Sequence, residues 1–306
     1  MTTGPGARFR QLLAAPGIVV APGAHDAITA RIIACHGFEA VYMTGAGTVN
    51  GRLGLPDIAL GTLDELVDNA ARIADAVDVP VICDADTGFG NALNVIRTVR
   101  AFERAGVAGV HIEDQESPKR CGHLAGKRLV PAAEMEGKIR AACDARRHDD
   151  FVIIARVDAA AVEGLGAAID RAGRYVRAGA DVIFAEALTS ADELGAFAAA
   201  GVGAPLLANM TEFGRTPYLD AGQFEALGYD VVIFPMLAFR AMLAAVDAAM
   251  AELAATGTQR GLLDRLMTRQ ELYELVDYPG WDEAERRYVT EAVEPVDDPS
   301  ADGTDV

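Results

Sequence analysis

Two carboxylates one residue apart, Asp84 and Asp86, follow the apolar run Val81-Ile82-Cys83, and Glu113 ends the next such run. Carboxylates flanking a small residue at a strand end can both turn toward one hard cation. With a third at the neighbouring end, and positions left for water and substrate oxygens, the set suits Mg2+, or Mn2+ in its place. The competing reading makes Asp86, with Gly88, a turn or a helix cap. Cys121 lies in a polar, Gly- and Pro-punctuated segment, 114–127, with Lys119, Arg120 and His123 beside it. Neighbouring cations lower a thiol's pKa and suit it to proton donation or nucleophilic attack. The alternative is a charged surface turn with an incidental thiol. Zinc is disfavoured, because no second pair at ligand spacing accompanies Cys121 and His123.

Arg156, Arg240 and Arg269 could each grip a carboxylate with two hydrogen bonds, and Glu186 could face a ligated metal or a substrate hydroxyl. Taken singly, Arg240 and Arg269 read as ordinary surface arginines. The backbone of Thr44-Gly45-Ala46-Gly47 offers N–H groups to an anion but lacks the full phosphate fingerprint. His25, His36, His111 and His148 show no evident partner and read as structural.

These residues need a scaffold that brings them together. Eight short apolar runs rich in β-branched residues recur at 18–21, 40–43, 80–83, 109–112, 152–155, 181–185, 205–208 and 231–234. They do not alternate polar with apolar, as expected of parallel strands covered on both faces. Segments of helical spacing lie between them, at 63–77, 92–105, 132–146, 165–178 and 191–199, and Gly106 and Gly179 stand where a helix C-cap prefers glycine. Eight strand-helix units in roughly 240 residues fit an α/β fold of the (β/α)8 TIM-barrel type. A doubly wound sheet is the competing architecture. Polar groups follow six of the runs: Thr44, Asp84 with Asp86, Glu113, Arg156 with Asp158, Glu186, and Asn209 with Thr211. A barrel gathers such groups from several strand ends, whereas an open sheet uses its switch point. The sequence therefore predicts one barrel domain with a C-terminal helical extension over residues 1–290 and an acidic, disordered tail over 291–306.

Composition bounds the partners. Of the 306 residues, 51% are hydrophobic, and 27 basic against 45 acidic residues give a net charge of −18, which argues against nucleic acid or an anionic membrane as partner. Six of those negative charges crowd the tail, from Glu291 to Asp305, with no Lys or Arg among them. No run approaches the ~20 apolar residues that span a bilayer, and the four cysteines lack CxxC spacing, so the expected setting is a reducing cytoplasm.

Taken together the motifs are specific. Tyr42-Met43-Thr44-Gly45, Gly54-Leu55-Pro56-Asp57, Asp84-Ala85-Asp86-Thr87-Gly88-Phe89-Gly90, His111-Ile112-Glu113-Asp114-Gln115, Lys119-Arg120-Cys121-Gly122-His123 and Asn209-Met210-Thr211-Glu212-Phe213-Gly214 resemble the isocitrate lyase/phosphoenolpyruvate mutase superfamily. The likeness is greatest to its methylisocitrate lyases and related 2-alkylmalate lyases. It runs in order from about residue 8 to about residue 285.

The resemblance implies a (β/α)8 barrel whose last helices swap between subunits of a homotetramer, with Mg2+ at its top. It implies that Asp84 and Asp86 hold the metal, directly or through water, beside Glu113, and that Cys121 is the catalytic acid/base, with Lys119, Glu113 and Arg156 in the same machinery. Thr44, Gly45, Ala46, Asp57, Gly122, His123, Arg156, Glu186, Asn209, Thr211, Arg240 and Arg269 would surround a small carboxylate substrate. The expected activity is Mg2+-dependent cleavage of a carbon–carbon bond in a 2-hydroxy di- or tricarboxylate, such as 2-methylisocitrate to pyruvate and succinate. Oxaloacetate hydrolysis, phosphonate chemistry of the phosphonomutase type and an inactive oligomeric scaffold are the alternatives. The Lys-Arg-Cys-Gly-His segment speaks against the phosphonate branch.

Overall fold

A computed structural model describes residues 4–120, 122 and 126–289. The chain divides into two compact units, Met1–Gly257 and Thr258–Val306. The first is a closed barrel of eight parallel strands in sequential order: β1 (Val19–Ala24), β2 (Val41–Met43), β3 (Val81–Asp84), β4 (Gly109–Glu113), β5 (Val152–Val157), β6 (Val182–Ala185), β7 (Leu206–Asn209) and β8 (Val231–Phe234). Pairing of Val19 with Val231 through Pro22 with Phe234 closes the ring. All eight expected strands are present, so the doubly wound alternative is excluded. β1 runs on to Ala24 through Pro22-Gly23, residues that read as a strand end because proline lacks a ladder donor and glycine has no side chain to pack.

Helices Leu63–Ala76, Ala92–Arg104, Ala132–Ala145, Leu165–Arg177 and Ala191–Ala199 lie within a residue or two of expectation. Two of them begin in capping boxes, Thr62 with Glu65 and Asn91 with Asn94, which satisfy the first N–H groups of the helix. Helix Ala27–Cys35 was not expected: its sequence is apolar on nearly every face, and its one clear signal is Asp26, whose carboxylate accepts the Thr29 N–H at 2.8 Å. Helix Pro5–Ala14 drives Phe9, fully buried, into the cluster that fills the barrel interior, with Leu12 and Leu13 packed behind it.

Parity along the strands decides what the barrel presents at its top. Tyr42, Ile82, Ile154, Val182, Phe184, Leu207, Val231 and Ile233 belong to the interior cluster. Alternate residues, such as Met43, Cys83, Ala155 and Ile183, pack outward against the helices. Side chains alternate with a period of two. The interior face therefore continues from Ile82 to Asp84 and Asp86, from Ile154 to Arg156 and Asp158, from Phe184 to Glu186, and from Leu207 to Asn209 and Thr211. The polar groups lie at the C-terminal ends of the strands, where barrels of this class carry their sites.

The second unit holds a 3-10 helix, Arg260–Arg265, and helices Arg269–Leu275 and Tyr278–Arg286. Thr268 and Glu271 form a capping box, and the Tyr273 and Tyr278 rings stack with centroids 4.9 Å apart. The expected acidic tail, 291–306, lies outside the described residues.

Candidate active site at the top of the barrel

A pocket of roughly 500 Å3, its open mouth included, sits over the C-terminal ends of the strands. Ten of the expected residues line it: Thr44, Ala46, Asp57, Asp84, Lys119, Gly122, Arg156, Glu186, Asn209 and Thr211. Gly45, Asp86 and Glu113 stand just behind this wall. A Cβ on Gly45 would fall 2.4 Å from Asp84 Oδ2, so only glycine lets the carboxylate lie against the turn after β2. Thr44 fixes that turn by accepting the Gly47 N–H at 3.1 Å.

Two buried ion clusters form the polar wall. Lys119 Nζ lies 2.6 Å from Asp57 Oδ1 and 2.9 Å from Asp86 Oδ1. Burial would lower this amine, but Asp86, Asp84 and Asp57 hold it well above the ordinary lysine value, so it stays cationic. Arg156 Nε reaches Asp158 Oδ2 at 2.9 Å, Glu113 Oε2 at 3.2 Å and Glu186 Oε2 at 3.9 Å, and its guanidinium lies over the Phe184 ring. Asn209 Nδ2 donates to Glu186 Oε2 at 3.2 Å.

Among the described residues, six buried or half-buried carboxylates (Asp57, Asp84, Asp86, Glu113, Asp158 and Glu186) meet three cations, Lys119, Lys127 and Arg156. Burial and the excess negative charge raise three of these carboxylates. Burial pushes Asp86 up to about 6 against the pull of Lys119, with Asp84 and Asp57 adding to the rise; burial likewise raises Asp84 and Glu113.

The three carboxylates expected to hold a metal do not form a ready cage. Among the described residues, no group of three or more His, Cys, Asp or Glu side chains could hold an ion. Lys119 occupies Asp86 and Arg156 occupies one oxygen of Glu113, so Asp84 is the carboxylate of the three that faces the pocket. A hydrated Mg2+ nevertheless fits. It takes one or two carboxylates and keeps several waters. Glu113 Oε1 is buried with no partner, and a divalent charge would offset the surplus of carboxylates.

Sequence reasoning missed part of the wall. Tyr42, Phe184, Ile233, Pro235 and Met236 also line the pocket. The first three continue the interior face of their strands, a signal that parity could have supplied. His111, read as a histidine without an evident partner, has Nε2 2.9 Å from the Tyr42 hydroxyl and 3.5 Å from Asp84 Oδ1. Burial, with Arg156 nearby, lowers it to about 3, so the ring is neutral. His25 also has a partner, with Nδ1 3.4 Å from Thr29 Oγ1.

Other expected residues are not brought into the pocket. Arg240 is not among its lining residues; its Nε lies 3.4 Å from Glu212 Oε2, and its guanidinium lies over the exposed Phe213 ring. Arg269 is exposed at the start of helix Arg269–Leu275 in the second unit. Cys121 and His123 lie outside the described residues.

A closed parallel barrel with paired carboxylates, a buried lysine and a buried arginine around one pocket defines a (β/α)8 protein equipped to bind and polarise a small anion. Residues 9–254 match the family described as Phosphoenolpyruvate phosphomutase, and the chain belongs to that family, within the PEP mutase/isocitrate lyase superfamily. It is 50% identical over 290 residues to a 2-methylisocitrate lyase of Aeropyrum pernix, covering 95% of this chain and 93% of that one. Among solved structures it resembles 2,3-dimethylmalate lyase, with a TM-score of 0.90, 36% identity and 100% of both chains covered. It also resembles oxaloacetate acetylhydrolase in complex with the inhibitor 3,3-difluorooxalacetate, with a TM-score of 0.88, 36% identity and 95% and 99% of the two chains covered.

Proposed function

We propose that this protein is a Mg2+-dependent carbon–carbon lyase that cleaves a 2-hydroxy di- or tricarboxylate, 2-methylisocitrate or a close substituted malate, into a 2-oxo acid and a second carboxylate. The observation that carries this reading is that one pocket is lined both by Asp84, Lys119, Gly122, Arg156 and Asn209 and by Phe184 and Ile233. It offers polar groups to carboxylates and a small apolar wall to an alkyl substituent. The likeness to 2-methylisocitrate lyase adds support.

Asp84, with Asp86 and Glu113 beside it, would hold the ion. When bound, the ion polarises the substrate's carboxylate and 2-hydroxyl and acidifies that hydroxyl. Transfer of the hydroxyl proton to a carboxylate of the wall, with Glu186 facing the pocket, would send electrons into the adjacent C–C bond. The bond breaks to a 2-oxo acid and an enediolate-like carbanion of the departing carboxylate. Arg156 and Lys119, both fixed by buried carboxylates, stabilise the charge that develops there. Cys121 returns a proton to the carbanion carbon. Phe184 and Ile233 keep part of the wall dry, which strengthens these interactions.

Purified protein with Mg2+ is expected to release a 2-oxo acid from at least one of 2-methylisocitrate, 2,3-dimethylmalate and isocitrate, to lose that activity with EDTA and to regain it with Mg2+ or Mn2+. No 2-oxo acid from any of the three sinks the reading. Oxalate and acetate formed from oxaloacetate instead would reassign the site to hydrolysis.

Among the described residues no helix is long and apolar enough to cross a membrane. Cys35, Cys83 and Cys143 are free thiols, in keeping with the reducing cytoplasm we infer. We also propose a homotetramer. Helix Leu237–Thr256 exposes Leu243, Val246, Met250 and Leu253, and the second unit exposes Leu266, Met267 and Trp281, the kind of apolar surface that association covers. Sedimentation as a monomer at micromolar concentration would contradict it.

A further inference from the structure

Lys127 is a buried cation that does not touch the pocket and for which the proposed chemistry has no use. Its Nζ donates to the Gly122 carbonyl at 2.6 Å and to Asp158 Oδ1 at 2.8 Å. Both acceptors belong to the machinery at one remove. Asp158 Oδ1 also accepts from Arg156 Nη2 at 3.2 Å, while Oδ2 takes Arg156 Nε at 2.9 Å. Gly122 is pressed against the two groups that face the substrate space: a Cβ there would lie 2.4 Å from Glu186 Oε1 and 2.5 Å from Arg156 Nη2.

The contacts form a closed circuit. Lys127 ties the Gly122 backbone to Asp158, Asp158 orients the Arg156 guanidinium, and Arg156 with Glu186 forms the surface on which Gly122 rests. Asp158, fully buried, is shared by both cations and further fixed by its backbone N–H to Asp114 Oδ1 at 2.9 Å. Buried polar circuits of this kind specify one geometry when every member is satisfied and lose it when one donor is removed.

We propose that Lys127 is a positioning residue of this site: it sets the seat of Gly122 against Glu186 and aims Arg156 through Asp158, without touching substrate. The proposal rests on the lyase reading for its kinetic consequence but not for its structural one. Lys127→Met keeps the length of the side chain and removes both donated hydrogen bonds. Misplacement of reacting groups by about 1 Å costs on the order of 100-fold in rate.

The test uses the full chain, wild type beside Lys127→Met, Lys127→Arg, Gly122→Ala and the Met/Ala double variant. Lys127→Met is expected to lower kcat by about 100-fold with KM within about threefold, since the substrate contacts themselves are kept. Lys127→Arg, which retains donors for both acceptors, is expected to recover at least about tenfold of that loss. Because Gly122→Ala disrupts the same seat, the double variant should be no slower than the slower single one. Hydrogen exchange of peptides spanning residues 115–122 should quicken by roughly tenfold or more in Lys127→Met, with β4 and β5 unchanged. A kcat within threefold of wild type, losses that multiply in the double variant, or unchanged exchange over 115–122 each overturns the proposal. A wild type inactive on every acid tested overturns the lyase reading, and exchange alone then decides the role of Lys127.

Discussion

Cys121→Ser is expected to lower turnover by roughly 10²–10⁴, the range that a positioned general acid or base contributes. The substitution keeps size and replaces a thiol, whose ordinary pKa lies near 8.5, by a hydroxyl that ionises only far above neutrality, so the effect falls on proton delivery rather than on packing. Cys121 stands in the chain between Arg120 and Gly122, and Gly122 lines the pocket. Binding should be almost untouched. Titration of Mg2+ with oxalate, a mimic of the planar enolate of a 2-oxo acid, is expected to give an affinity within about threefold of wild type, since the groups that bind it are unchanged. Rapid-quench measurement of 2-oxo acid formation separates the steps. Where C–C cleavage precedes protonation, the variant still forms some 2-oxo acid in the first turnover and stalls afterwards. Unchanged steady-state turnover would remove Cys121 from the mechanism.

How far the site could be read from sequence follows from strand parity. Asp84 and Asp86, Arg156 and Asp158, and Asn209 and Thr211 are pairs two residues apart at strand ends, so each pair continues the face its strand buries inside the barrel. Once eight strands are recognised, these groups must meet at the top. Parity also reaches Tyr42, Phe184 and Ile233, but inward apolar residues look like core, and nothing local says that they lie at the last layer before solvent. The surroundings of the proposed metal-binding carboxylates were less legible for a different reason. Spacing brought three carboxylates together, but it could not show that Lys119, from a segment beyond β4, takes Asp86, or that Arg156 takes one side of Glu113. Long-range pairing of this sort leaves no periodic trace. Lys127 is the extreme case: it is a lysine in a basic stretch, and its partners Gly122 and Asp158 are fixed only by the path of the chain.

Arg156→Lys is expected to reduce kcat/KM by about 10³, close to 4 kcal/mol of transition-state stabilisation, although it preserves charge. The guanidinium serves three carboxylates at once from a single plane, with Asp158 bonded to both Nε and Nη2, and it lies 5.3 Å from the Phe184 ring centroid. An ammonium is a compact point charge that cannot reproduce the bidentate bond or the stacking. Lysine would settle on one carboxylate and leave the others buried with less compensation. Arg156→Met gives the comparison that separates charge from shape. If charge alone matters, lysine should retain most of the activity that methionine loses. If the fork geometry matters, lysine should fall nearly as far as methionine, and the two should differ mainly in stability, because methionine removes the cation that Glu113, Asp158 and Glu186 share and leaves Asp158 with Lys127 alone. Circular dichroism and thermal unfolding establish that each variant is folded before its kinetics are compared. Retention of activity within tenfold by Arg156→Lys would mean that the buried arginine is a structural counter-charge and that stabilisation of the developing carbanion comes from elsewhere in the pocket, with Lys119 the first candidate.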